Sequence, residues 1–337
     1  MKNPRAKHNF IGRPCSITGV GSYVPEKVLT NADLEKLVQT SDEWITTRTG
    51  IKERRLAAPD EFTSDLASKA ALRAMDMAGV TADQLDLIIV ASITPDMPFP
   101  NTACLVQQKI GARRIPSFDV EAACSGFLYA LEVGQNFVTA RTFETVLVIG
   151  AEKLSAITNW KDRNTCVLFG DGAGAAILQS RPLSHGLLTT VLGADGSKGG
   201  LLSMPGGGSR NPASLETVQN GLHFLRMDGK ETFKNAVQAM CSAANEVLAR
   251  CEIDITKIKC VIPHQANRRI IDAVGQRLGA TPEQLFINLH KYGNTSAASV
   301  AIALDEAVRS GRVNRGELIL IMAFGAGLTW GAAIIEW

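Results

Sequence analysis

Three polar side chains have the types and settings for acyl chemistry. They are Cys124 in Glu121-Ala-Ala-Cys-Ser-Gly-Phe127, His264 in Pro263-His-Gln-Ala-Asn267, and Asn294 in Gly293-Asn-Thr-Ser. Small neighbours and a following glycine suit a tight strand-to-helix turn that presents the Cys124 side chain. At a helix N-terminus, unpaired N–H groups and the macrodipole favour a thiolate, the nucleophilic form, and lower the thiol pKa from about 8.5. The competing reading is a small buried apolar residue. It is the one adopted for Cys15, Cys104, Cys166, Cys241, Cys251 and Cys260, which lie inside apolar patterns. His264 leaves an apolar strand through a proline and enters a helix beginning near Arg268. His290, four residues before Asn294, is its main competitor, because His8 is near the terminus while His185 and His223 fall in loops. Taken singly, Asn294 reads as a turn residue and helix cap.

The elements that must position these groups alternate. Strands are predicted at Leu85–Ala91, Val146–Gly150, Val167–Phe169 with Ala173–Leu178, Lys259–Ile262, Leu318–Ala323 and Ala332–Glu336. Helices are predicted at Thr63–Ala78, Asn101–Ile110, Gly126–Ala140, Lys230–Arg250, Arg268–Leu278 and Ala297–Ser310. This alternation implies a layered α/β fold with buried, largely parallel strands. The pattern also repeats. At one offset of 173 residues, Asp83–Val90 lines up with Thr256–Pro263, Glu144–Ile149 with Glu317–Met322, and Ala130-Leu131 with Ala303-Leu304. Two related halves follow, residues 1–180 and 181–337, joined through a stretch rich in Gly and Ser that is in part a surface loop. The offset sets Cys124 and the Asn294 turn at nearly equivalent positions before a helix. It also puts His264 at a strand's carboxyl end, where open α/β sheets build sites.

Composition narrows the function. The 337 residues are 45% hydrophobic and 20% charged, with a formal net charge of +2. Concentrated Lys and Arg for nucleic acid are missing, and so is the high net charge of disordered chains. No apolar run approaches the ~20 residues of a membrane span. Met1 to Cys15 mixes Lys2, Arg5, Lys7, His8 and Arg13 with no apolar stretch, unlike a secretory signal, so a cytoplasmic protein is expected. Seven cysteines without a C-x-x-C pair point to reduced thiols and no structural metal. Gly19-Val-Gly-Ser-Tyr-Val lacks the third glycine of a dinucleotide fingerprint. Gly170-Asp-Gly-Ala-Gly174 runs into an apolar segment and reads as a hairpin with close backbone packing.

Ala122-Ala-Cys-Ser-Gly-Phe127, Pro263-His-Gln-Ala-Asn267, Gly293-Asn-Thr-Ser-Ala-Ala298 and Phe324-Gly-Ala-Gly-Leu-Thr-Trp330 resemble the β-ketoacyl-[acyl-carrier-protein] synthase III family of the thiolase superfamily, as does Thr40-Ser-Asp-Glu-Trp-Ile-Thr-Thr-Arg-Thr-Gly-Ile51. The likeness runs from Ile17 to Trp337. It implies a thiolase-like fold of two duplicated α/β halves in an αβαβα arrangement. The implied reaction begins when an acyl-CoA, typically acetyl-CoA, acylates Cys124. Malonyl-acyl-carrier protein then loses CO2 and its carbanion attacks the thioester, giving a 3-oxoacyl-carrier protein. The resemblance further implies His264 and Asn294 as donors to the enolate, and backbone N–H groups of Cys124 and Ala326 as the oxyanion site. Position 326 is often glycine in the family, so alanine matters only if the backbone there needs φ > 0.

By the same resemblance, CoA is held by Thr40, Trp44, Arg48, Arg163 and Asn267. It is a substrate, and no cofactor is required. Lys234, Arg268 and Arg269 match a docking patch for the acidic carrier protein. Phe324 lines the acyl pocket, and Phe99 reaches the partner's pocket in a homodimer. Elongating relatives use two histidines, so Asn294 indicates the starter-condensing branch or plant-type polyketide synthases. Other readings are a specialised-metabolite synthase with a different starter or acceptor and a catalytically silent acyl-binding paralogue. A cysteine hydrolase or nicotinamide enzyme stands further off.

Overall fold

The computed structural model describes residues 14–180 and 186–337; the reading of Met1 to Arg13, His185 and the start of the inter-half join lie outside the described residues. Nine strands build two sheets: β1 (Cys15–Tyr23), β2 (Leu87–Ala91), β3 (Ser117–Val120), β4 (Thr145–Glu152), β5 (Gly172–Ser180), β6 (Gly186–Ala194), β7 (Ile258–Pro263), β8 (Leu318–Gly325) and β9 (Thr329–Glu336). The helices that pack on them or shape the site are α1 (Asp42–Thr49), α2 (Thr63–Ala78), α3 (Thr102–Lys109), α4 (Gly126–Thr139), α5 (Gly229–Cys251), α6 (Arg268–Leu278) and α7 (Ala298–Arg309).

Local chemistry sets the ends of these helices. The Asp65 carboxylate accepts the Phe62 N–H at the start of α2, and Gly79, at φ 65°, stops it. Asn267 caps α6 by accepting the Arg269 N–H, and Gly279 ends it in the same left-handed conformation. Strands β2, β4 and β8 are built mainly of Leu, Ile, Val and Ala and are buried on both faces over almost their whole length.

The first sheet has the order β1-β5-β4-β2-β3 and the second β6-β9-β8-β7. The four strands of the second sheet match β1, β5, β4 and β2 of the first in order, β3 having no counterpart, and a shift of 173 residues carries β4 onto β8 at both ends. One apolar core places α4 and α7 between the sheets, α2 and α3 cover the outer face of the first, and α5 and α6 cover that of the second. The arrangement is therefore αβαβα. The middle layer is tight because small residues face it: a Cβ on Gly150 would stand 2.5 Å from the Ala297 carbonyl oxygen.

Three expectations need correction. The sheets are mixed, not largely parallel: β2 pairs parallel with β3 and β4, and β7 with β8, but β1–β5, β4–β5, β8–β9 and β6–β9 are antiparallel. Apolar runs buried on both faces read alike in either direction, so composition did not separate them. Val167–Phe169 forms no strand, since a short helix at Arg163–Cys166 precedes it and only Phe169 makes a bridge, to Asn294. Gly170–Gly174 consequently turns no hairpin. The close packing is present, because a Cβ on Gly174 would lie 2.5 Å from the Ala301 Cβ. The Gly- and Ser-rich join after residue 185 begins with the β6 strand and continues largely as loop and turn, as expected for part of it.

Candidate active site

The two halves meet over a cleft of about 1930 Å³ whose lining includes Cys124, His264, Asn294, Phe324 and Ala326. Each polar member arrives on its own element. Cys124 lies in a single 3-10 turn, Ala123–Ser125, that feeds α4, and Ala123 takes φ 45° to make the bend. His264 follows β7, its backbone N–H donating to the Met322 carbonyl of β8 at 2.8 Å. Asn294 sits just before α7 with its N–H on the Leu168 carbonyl at 2.8 Å. Exposures of 8%, 3% and 8% put all three deep in the cleft, out of bulk water.

Asn294 is not a helix cap. Its Oδ1 accepts the Ser296 N–H at 2.8 Å, which closes a local turn and leaves the Nδ2 donors for the cleft. His264 Nδ1 lies 2.5 Å from the Ser299 hydroxyl. Burial pulls its pKa down to about 4, so the imidazole is neutral at pH 7. Burial also overturns the expected activation of the cysteine. It pushes the Cys124 thiol up to about 12, with the Ser296 hydroxyl opposing that rise and the Glu152 charge adding to it. Desolvation of a thiolate outweighs the helix N-terminus here. The resting side chain is a thiol.

Glycine opens the space beside it. A Cβ on Gly325 would stand 2.6 Å from the Cys124 nitrogen, so β8 comes directly against the turn. Ala326 does not occupy the φ > 0 region, so alanine satisfies the backbone where glycine was the expected type.

The remaining expected site residues divide. Arg48, Asn267 and Arg269 line the cleft. Trp44 stands behind Arg48, with the Arg48 and Arg163 guanidiniums each 4.9 Å from its ring centroid. Thr40, Trp44 and Arg163 are not part of the lining itself. The buried Thr40 hydroxyl has no hydrogen-bond partner. The Asn267 side chain is committed to structure, since it caps α6 and donates to the Arg48 carbonyl at 3.1 Å. Lys234 and Arg269 are exposed, whereas Arg268 pairs with Asp272 at 2.8 Å. Phe324 is buried in the lining, and Phe99, 84% exposed, is outside the cleft of its own chain.

Sequence reasoning missed Ser296, Ser299 and Glu152. Ser296 sits within the Gly293-Asn-Thr-Ser-Ala-Ala298 run, so spacing to Asn294 could have raised it; Ser299 lies one residue beyond that run, and nothing local marks Glu152. Among the described residues no group of three His, Cys, Asp or Glu gathers to hold a metal ion, and no helix is long and apolar enough to cross a membrane.

Comparison with known proteins agrees with this layout. Residues 118–196 match the family described as 3-oxoacyl-[acyl-carrier-protein (ACP)] synthase III, and residues 248–337 match its C-terminal part. The beta-ketoacyl-[acyl-carrier-protein] synthase III of Caldanaerobacter subterraneus is 59% identical over 95% of this chain and 97% of its own length. That of Desulfitobacterium hafniense is 53% identical over the same shares. The crystal structure of the Aquifex aeolicus 3-oxoacyl-[acyl-carrier-protein] synthase III superposes with a TM-score of 0.89 at 48% identity. It covers 96% of this chain and 100% of that one. A priming β-ketosynthase from a polyketide biosynthetic pathway gives the same TM-score at 35% identity, covering 96% of each chain. With a buried thiol, a neutral imidazole and a carboxamide around one cleft between two duplicated halves, this chain belongs to the β-ketoacyl-[acyl-carrier-protein] synthase III family.

Proposed function

We propose that this protein is the starter-unit condensing enzyme of type II fatty-acid synthesis, an acyltransferase of the cytoplasm acting as a homodimer. The observation that carries the reading is the convergence of Cys124, His264 and Asn294 on one cleft from elements in both halves, residues 1–180 and 181–337. An acyl-CoA, acetyl-CoA in the first instance, acylates Cys124 and releases CoA. A thioester suits the covalent intermediate because thiolate attacks well and the thioester carbonyl stays electrophilic. The oxyanions formed on the way lie against the backbone N–H groups of Cys124 and Ala326.

Malonyl-acyl-carrier protein then enters. Its C–C bond to the carboxylate breaks, CO2 leaves, and the electron pair becomes an enolate. His264 Nε2–H and Asn294 Nδ2–H donate to that oxygen, each worth about 3–4 kcal/mol of transition-state stabilisation. The enolate carbon attacks acyl-Cys124, and collapse releases 3-oxoacyl-carrier protein and the Cys124 thiolate, which takes up one proton from solvent to return to the thiol. These groups cover every step, so the reaction needs no resident cofactor.

Binding follows the same logic. Trp44 with Arg48 and Arg163 over its ring offers stacking and charge for a nucleotide carrying a 3′-phosphate, and the unpartnered Thr40 hydroxyl supplies a hydrogen bond. Asn267 acts through Arg48. Lys234 and Arg269 face the acidic carrier protein, with Arg268 contributing when it releases Asp272. Phe99, 84% exposed on its own chain, fills the partner's acyl pocket beside Phe324. The alternative is a specialised-metabolite enzyme with a different starter, and one measurement separates the two. Intact-protein mass spectrometry after incubation with acetyl-, branched and longer acyl-CoAs should show one acyl group on Cys124 with acetyl fastest, and none on Cys124→Ala. Label on the Cys124→Ala protein would place the nucleophile elsewhere.

A further inference from the structure

One buried acid has no part in this scheme. Glu152 ends β4 with no exposed surface, and every partner recorded for it is an N–H or O–H group, none a cation. Its carboxylate accepts the Ile93 N–H at 3.2 Å, the Thr94 hydroxyl at 2.5 Å, the Ser92 hydroxyl at 3.3 Å and the Ser296 hydroxyl at 3.1 Å. The proton directions are fixed by what surrounds these oxygens. Thr94 Oγ1 already accepts the Lys153 N–H at 2.9 Å, and Ser92 Oγ accepts the Thr94 N–H at 3.1 Å. Their hydroxyl protons are therefore left for the carboxylate.

Ser296 is held differently. Its N–H is spent on Asn294, its backbone takes φ 48°, and its hydroxyl, 3.1 Å from Glu152, lines the same cleft as the Cys124 thiol and acts on its sulfur. The hydroxyl has one proton: given to Glu152, it leaves the oxygen free to accept from the thiol, and given to the sulfur, it stabilises the developing thiolate. A lone buried carboxyl without a cation is costly to keep. Here it stands one hydroxyl away from the sulfur that must lose a proton.

We propose that Ser296 and Glu152 form a proton relay for Cys124, an inference that rests on Cys124 being the acylated residue. As the sulfur attacks the thioester carbonyl, the S–H bond breaks and its proton passes to Ser296 Oγ, while the Ser296 proton passes to a Glu152 oxygen. The transfer is concerted with attack, so a free thiolate never accumulates. When the tetrahedral intermediate collapses, the C–S bond to CoA breaks. The proton then returns along the same hydroxyl to the departing CoA sulfur. The relay ends as it began, with CoA leaving as its thiol. Burial raises Glu152 to about 7 and lowers His264 to about 4, so the carboxylate is the stronger base of the two near neutrality.

The test is single-turnover acylation from acetyl-CoA, read by mass spectrometry, beside CO2 release from malonyl-acyl-carrier protein and thermal melting. Ser296→Ala and Glu152→Gln should each slow acylation by about 100-fold, the usual scale of a proton-transfer contribution, while CO2 release stays near wild type. Glu152→Asp should recover part of the loss. Wild-type protein acylated at a residue other than Cys124 would sink the reading beneath the relay. Cys124 acylated at an unchanged rate in a folded Ser296→Ala or Glu152→Gln would overturn the relay alone. Equal losses in acylation and CO2 release would also overturn it, because they indicate that the relay pair only shapes the site. If Glu152→Gln does not fold, Ser296→Ala, which leaves three donors on the carboxylate, decides the question.

Discussion

His264 gives a hydrogen bond to a developing enolate only if its proton sits on Nε2, and Ser299 is placed to support that form. When the Ser299 hydroxyl, 2.5 Å from Nδ1, donates to that nitrogen, the neutral ring carries its proton on Nε2. Ser299→Ala should therefore lower decarboxylation about tenfold, with a stability loss of about 1 kcal/mol for one hydrogen bond; CO2 release and thermal melting measure the two. His264→Ala or Asn294→Ala should go further and cut CO2 release by about 100–1,000-fold, while mass spectrometry still finds acyl-Cys124. An acylation step as impaired as decarboxylation would contradict this division of labour. Cys124, His264 and Asn294 were legible because each sits in a short motif with its own backbone signature. Ser299 and Glu152 were not, since their value comes from partners 35 and 144 residues away.

Strand ends carry the site, so small residues there have functional weight. Gly325 closes β8 against the Cys124 backbone. Gly325→Ala must push that turn away, and the expected result is a stability loss of about 1–3 kcal/mol for overpacking. Acylation should fall by a larger factor than melting alone explains, as the turn carries both the proposed nucleophile and one of the proposed oxyanion donors. Mass spectrometry of acylation in the folded variant checks it. The limits of α2 and α6 emerged from sequence to the residue, because amphipathic spacing and a following glycine mark them. Strand direction did not emerge, and neither did the turn at Val167–Phe169, since an apolar triplet reads as strand until its neighbours are known. The Arg54 guanidinium, wholly buried, takes the Val167 carbonyl at 2.8 Å and holds this segment out of the sheets.

At the scale of the whole molecule, two buried groups set opposing dependences of stability on pH. His264 falls from 6.5 to about 4 on folding, so between those values the unfolded chain binds the extra proton and stability declines as pH drops. Glu152 rises from 4.5 to about 7, so between those values the folded chain binds the extra proton and stability grows as pH drops. The two largely offset. The margin of wild type over Glu152→Gln should widen as pH is lowered from 7 to 4.5, and thermal melting across that range measures it. A constant margin would show that the carboxyl does not titrate within the fold.

The register between the halves has a final consequence. A shift of 173 residues that carries β4 onto β8 sets Glu152 and Gly325 at one equivalent place. In one half that place holds a charge, and in the other it is emptied so that two backbones can touch. An assembly of two identical copies would have to give both places the same residue. Joined in one chain, the copies have been free to part ways at a single position.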